Sequence, residues 1–209
     1  MSIGSSPVRF DAVAKTQGTA MYPGDRQGDD ALTAKVVFTG QPHARLVSLD
    51  ISAAEAIPGV VTVVTAADVP RNEYGLTKFD QPVIIGPTDS PDVAVATNVS
   101  RWEADHLAVV VAESLEAANA GAAAIVAEWE PLELVPDIDA ALDDRVLVHP
   151  QDGTNNYTHL KIRHGDTDHG FAQADVIVEH TYEVPYQEHA YLQPEAATSW
   201  IDESGRVTV

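Results

Sequence analysis

The stretch "YQEHAYLQPEAATSW", residues 186–200, holds the densest mixture of chemically able side chains in the sequence. Gln187, Glu188 and His189 are adjacent, Tyr191 follows, and Gln193-Pro194-Glu195 closes the cluster. A glutamate beside a histidine donates, accepts and titrates near neutrality, which is what a site near a charged cofactor requires. The same pattern also describes a sheet strand whose exposed face is polar. Residue chemistry alone leaves both readings open.

Other constellations are weaker. His164 and His169 lie five apart across a turn, and His180 and His189 lie nine apart on an extended segment. Extended residues nine apart point to opposite faces, so the second pair does not converge without a bend. No histidine pair shows helical metal-ligand spacing with carboxylates, so no metal site is assigned. The chain has no cysteine, which excludes thiolate ligation, iron–sulfur clusters and cysteine nucleophiles within it. Neither a Gly-x-Ser-x-Gly elbow nor a Gly-x-Gly-x-x-Gly fingerprint occurs. In "GDTDHGFAQADV", Asp166 and Asp168 would repel an anion at the helix start and suit a capping role instead.

The elements that must position these residues sit in a chain of 209 residues, 44% hydrophobic, with a net charge of −20. That length and composition predict one large domain, or a medium one with an appendage, around an ordinary core. The charge repels a phosphate backbone, so nucleic acid is not an expected partner. It fits a strongly soluble surface, or adaptation to high salt. The apolar runs are too short to span a bilayer, and the N-terminus lacks a secretory pattern, so no membrane and a cytoplasmic location are expected.

From Ala31, "ALTAKVVFTGQPHARLVSLDIS" reads as two strands joined at Gly-Gln-Pro. Alternation in the second sets Leu46, Ser48 and Asp50 opposite Val47, Leu49 and Ile51. "SAAEAIPG" predicts a short helix capped by Ser52 and ended by Pro58-Gly59, and "VVTVVTAADVP" a buried strand running into a turn. Residues 70–100, with Pro70, Pro82, Pro87 and Pro91, predict a long irregular loop. "HLAVVVA" predicts another buried strand, followed by a helix from about Ser114 and a strand from Ile125 to Glu130 that Pro131 stops. Residues 136–156 are rich in proline and aspartate and predict a connector. Beyond it the pattern predicts a strand near 157–163, a short helix at "GDTDHGFAQA", and a long strand at "DVIVEHTYEVPYQEH". A strand "AATSWID", a turn at 202–205 and "RVTV" complete the sequence, leaving an open sheet edge. Strands interleaved with short helices indicate α+β.

Several of these stretches, in order, resemble the large molybdenum-binding subunit of the xanthine dehydrogenase/aldehyde oxidase family. They are "PHARLVSLD", "AIPGVVTVVTAADVP", "AVVVAESLEAANAGAAAIVAEWEPLELVPDIDAAL" and "HGDTDHGFAQADVIVEHTYEVPYQEHAYLQPEAATSW". The resemblance runs from about Phe10 to Val209. It implies an α+β fold: an α/β hammerhead domain over 10–135, a connector over 136–156, and over 157–209 the first strands of an incomplete molybdopterin-binding domain. It departs at "WEADHLAVVVAE", where His106 stands in place of the proline many members carry.

The resemblance implies the N-terminal portion of a molybdenum hydroxylase, which hydroxylates a carbon of an aldehyde, N-heterocycle or related compound with oxygen from water. The family's glycine-rich segment and its glutamate base have no counterpart here, so no catalytic residue is carried over and this chain alone is expected to be inactive. Gln187, His189 and Glu195 are candidates for the cofactor-facing region. Tyr74, Phe79 and Tyr191 are candidates for a substrate channel or an interface. Implied cofactors are molybdenum–molybdopterin, shared with the rest of the enzyme, with iron–sulfur clusters and FAD on other domains or subunits. Implied partners are a chain carrying the remainder of the molybdopterin-binding region, iron–sulfur and flavin subunits, and a small-molecule substrate. The rival reading is a non-catalytic assembly module that docks a partner chain.

Overall fold

The computed structural model describes residues 3–26, 28, 30–87, 96–191 and 195–209, which form two units, 32–163 and 1–31 with 164–209. The part of the 70–100 loop at 88–95, and Gln193 with Pro194, lie outside the described residues.

In the 32–163 unit, strand β5 (His106–Ala112) lies between β1 (Thr33–Phe38) and β3 (Val60–Val64), antiparallel to both. "HLAVVVA" suits that central place because a strand paired on both edges and covered on both faces needs apolar residues throughout. Ala108, Val110 and Ala112 face the helices α2 (Ser52–Glu55) and α3 (Leu115–Ala124). Small residues on α3 allow the close approach: a Cβ on Gly121 would stand 2.8 Å from Val110 Cγ1. Leu107 belongs to the opposite parity of β5 and joins Leu46 and Ile85 in a second cluster, with Trp129 packed against it.

A second sheet places β2 (Ala44–Asp50) between β4 (Val99–Ser100) and β6 (Val126–Pro131). The two strands predicted on either side of Gly-Gln-Pro are both present, each in its own sheet. Strict alternation along β2 fails. A bulge between Leu46 and Ser48 shifts the parity, so Ala44, Leu46 and Leu49 turn inward while Val47 and Ser48 are exposed. Ser52 does not cap α2 either: the N-cap is Ile51, and the Asp50 carboxylate accepts from the Ser52 N–H at 2.9 Å. Ser114 does cap α3, accepting from the Ala117 N–H at 3.2 Å.

Where a proline was expected before β5, the turn is held by Asp105. Its Oδ2 accepts from the backbone N–H groups of Arg101 (2.7 Å) and Trp102 (3.1 Å). His106 then packs its ring 5.7 Å from that of Phe38.

The predicted connector is built rather than loose. Asp137 caps α4 (Ile138–Leu142), and Asn155 Nδ2 donates to the Ala141 and Val146 carbonyls at 3.0 and 2.8 Å.

The other unit contains α1 (Ala12–Gln17), α5 (Thr167–Ala172), and a hairpin of β7 (Trp200–Ile201) with β8 (Val207–Thr208). Asp166 caps α5 as expected, accepting from the His169 N–H at 2.9 Å. The strands predicted at 157–163 and 175–189 are absent; both segments are extended without ladder partners among the described residues. β-prone composition is present there, but a strand requires a neighbour for its backbone groups.

Candidate functional site

Residues 186–191 are extended and exposed. Glu188 turns its carboxylate to the backbone, with Oε1 accepting from the Ala190 N–H at 3.2 Å, so it does not pair with the neighbouring imidazole. Ala190 takes a left-handed φ of 49°, a conformation a residue with a Cβ adopts at a cost of about 1–2 kcal/mol. The His189 and Tyr191 rings stack on each other, 5.5 Å apart and within 4° of parallel. A second ring pair, His180 with Tyr182, meets edge-on at 5.1 Å on the same run. Gln187 and Glu195 are exposed. The predicted cluster is therefore a kinked, solvent-facing ribbon with a stacked imidazole–phenol pair.

Tyr74 and Phe79 stand on a separate, tightly built loop in the 32–163 unit. Asn72 is its anchor: fully buried, it donates from Nδ2 to the Ile84 carbonyl at 2.8 Å and accepts at Oδ1 from the Ile84 N–H at 2.9 Å. An amide side chain here does what a strand partner would do for Ile84, and Ile84 and Ile85 reach the core beside it. Tyr74 and Gln81 exchange both backbone hydrogen bonds, at 2.8 and 3.2 Å. Between them the chain turns so sharply at Gly75 that a Cβ would fall 1.6 Å from the Lys78 carbonyl oxygen, so only glycine fits. Arg71 caps the Phe79 ring at 5.4 Å, and Leu76 is fully exposed at the tip. Tyr74 and Phe79 thus share one rigid loop, whereas Tyr191 belongs to the other unit.

Sequence reasoning missed Asn72 and Arg101. The Arg101 guanidinium donates to the Val99 and Val148 carbonyls, both at 2.9 Å, and burial pushes its pKa down. It also missed an open cavity of about 400 Å³ beside β2, lined in part by Leu46, Leu49, Thr65, Ala66, Ile85 and Asn98. Such sites have no local signature because their walls come from distant segments.

Among the described residues no three His, Asp or Glu side chains gather as metal ligands, and no helix is long and apolar enough to cross a membrane.

Residues 17–133 match the family described as aldehyde oxidase and xanthine dehydrogenase, α/β hammerhead domain, and residues 148–209 match a molybdopterin cofactor-binding domain. The chain is 33% identical over 209 residues to the nicotinate dehydrogenase large molybdopterin subunit of Eubacterium barkeri, covering 99% of this chain and 46% of that protein. It is 28% identical to the xanthine dehydrogenase molybdenum-binding subunit of Escherichia coli O157:H7, covering 97% of this chain and 27% of that one. The aldehyde oxidoreductase structure from Desulfovibrio gigas superposes with a TM-score of 0.74 at 27% identity, over 95% of this chain and 22% of that one. The chain is thus an α+β protein of the molybdenum hydroxylase class, and it belongs to the aldehyde oxidase and xanthine dehydrogenase family, with the hammerhead domain and the start of the molybdopterin-binding domain. It spans about half the length of that first relative, and about a quarter of the second.

The family implies a molybdenum–molybdopterin cofactor. A cofactor site is a concave one that buries most of its ligand between converging polar groups. The 175–191 ribbon offers suitable donors and acceptors, but it is exposed and open on all sides among the described residues of its unit. The described residues do not by themselves fit the group, and no chemical step is routed through it here.

Proposed function

We propose that this chain supplies the N-terminal portion of a molybdenum hydroxylase large subunit. The reaction class is R–H + H₂O → R–OH + 2 e⁻ + 2 H⁺, on an aldehyde, an N-heterocycle or a related carbon. The observation that carries this reading is the ordered pair of family matches, hammerhead then cofactor-binding, inside one continuous alignment to a large molybdopterin subunit. The division we assign is 10–135 for the hammerhead, 136–156 for the connector and 157–209 for the start of the cofactor domain.

In this reading Gln187, His189 and Glu195 face the cofactor region, and the ribbon is walled in by the remainder of the molybdopterin-binding region. Tyr74, Phe79 and Tyr191 contribute to a substrate channel or a subunit interface. Iron–sulfur and flavin subunits take the electrons, the substrate is a small molecule, and the enzyme works in the cytoplasm. Neither nucleic acid nor membrane takes part.

Mild native purification from the source cells, with elemental analysis and identification of companion chains, tests the proposal. Stoichiometric molybdenum and iron with a chain completing the cofactor domain is the expected result. A lone, metal-free, folded chain would overturn it. Alanine at Gln187, His189 and Glu195 tests the site assignment: lowered molybdenum content or turnover is expected for at least one, and unchanged values for all three would remove it.

A further inference from the structure

Residues Val146–Tyr157 lie as a strap against the Asn72-anchored loop and the end of β4. Arg101 Nε holds the Val148 carbonyl at 2.9 Å, and the Val148 N–H donates to Asn155 Oδ1 at 2.9 Å. Lys78 Nζ pairs with Asp152 Oδ2 at 3.1 Å and lies 5.1 Å from the centre of the Tyr157 ring, while the Thr77 and Tyr157 hydroxyls are hydrogen-bonded.

His149 sits within this strap, half-buried, one residue beyond the carbonyl that Arg101 holds. The Gln151 amide nitrogen approaches its Nδ1 at 3.3 Å, so Nδ1 accepts and the imidazole is neutral. Four charged groups face it: Arg101 from the end of β4, Lys78 and Asp80 from the loop, and Asp152 from the strap itself.

We propose that the strap is a proton-operated latch, in which protonation of His149 sets an imidazolium against the Arg101 guanidinium and turns Nδ1 into a donor facing a donor. The new charge regains water only when the strap lifts, which breaks the Arg101–Val148 bond next to it. Burial first, and then Arg101, hold the His149 pKa below its ordinary value, while Asp80 and Asp152 oppose the shift. The latch therefore stays shut at neutral pH and opens on acidification. It is independent of the enzymatic assignment, since every residue named lies in the 32–163 unit.

Hydrogen–deuterium exchange on the full chain between about pH 5 and 8, corrected for intrinsic rates, tests it. The expected result is several-fold faster exchange of the Val148, Asp152 and Gly153 amides at the acidic end, with β5 amides unchanged. His149→Asn should keep the strap protected across the range. An equal pH response in wild type and variant, or none in wild type, would overturn the latch. If the variant loses β5 protection as well, wild-type NMR decides. The titration midpoint of the His149 ring must coincide with the loss of strap protection, and a mismatch refutes the proposal.

Discussion

Two stretches of similar composition, "HLAVVVA" at 106–112 and "DVIVEHTYEV" at 175–184, have opposite fates. The first is a central strand with Ala108 and Val110 at 0% exposure. The second has Val176, Val178 and Val184 at 78, 81 and 89% exposure, and no ladder partner among the described residues. Both are rich in β-branched residues, so intrinsic propensity does not separate them. What separates them is supply of neighbours: β1 and β3 offer backbone groups to both edges of β5, and α2 and α3 cover a face. A strand is a property of its surroundings as much as of its residues.

Truncation experiments on the two stretches should differ most. Ile85→Ala, at the centre of the Leu46–Leu107 cluster, is expected to cost about 2–5 kcal/mol, whereas Val178→Ala should cost under about 0.5 kcal/mol. Urea unfolding followed through Trp129, which packs on that cluster, reads both; comparable losses would break the contrast. Asn72→Ala comes next, at about 1–3 kcal/mol, because it strands the Ile84 N–H and carbonyl in the core.

The pH dependence of stability should be milder and signed. The native state holds the His149 pKa below 6.5, so the unfolded chain binds that proton more readily. Stability is then fullest above pH 6.5 and falls as the pH drops through that value, and His149→Asn should flatten the slope. At lower pH a second decline is expected. Asp50 and Asp68 are held below the usual carboxylate value by hydrogen bonds from Ser52 and Thr65, and they lose that contribution on protonation. Thermal melts across the range check both. The smallest effect belongs to Gln187→Ala, His189→Ala and Glu195→Ala, each within about ±0.5 kcal/mol since all three are exposed. A larger loss of stability would mean that the ribbon is a structural element rather than a surface awaiting a ligand.

The legibility of this chain followed range. β3, β5 and α3 were readable because an unbroken apolar run or a capping serine is a local signal. The bulge in β2 was not, since it depends on how β6 registers against Leu46 and Ser48. The assignment of β1 and β2 to different sheets likewise rests on distant partners. The strands expected at 157–163 and 175–189 came from propensity without a partner. For the functional residues, the 186–191 cluster and the Tyr74–Phe79 loop could be found by composition. Asn72 and Arg101 could not, because their partners lie 12 and 47 residues away.

The glycine turn that thrusts Leu76 into solvent has a practical consequence. The chain contains no thiol, so Leu76→Cys would create a single attachment point for a spin label or fluorophore. The Asn72 clip and the Tyr74–Gln81 pairing hold its backbone still beneath the label. A probe there would report what approaches the loop rather than the loop's own wandering, and would make this tip a fixed surveying mark for any assembly the chain enters.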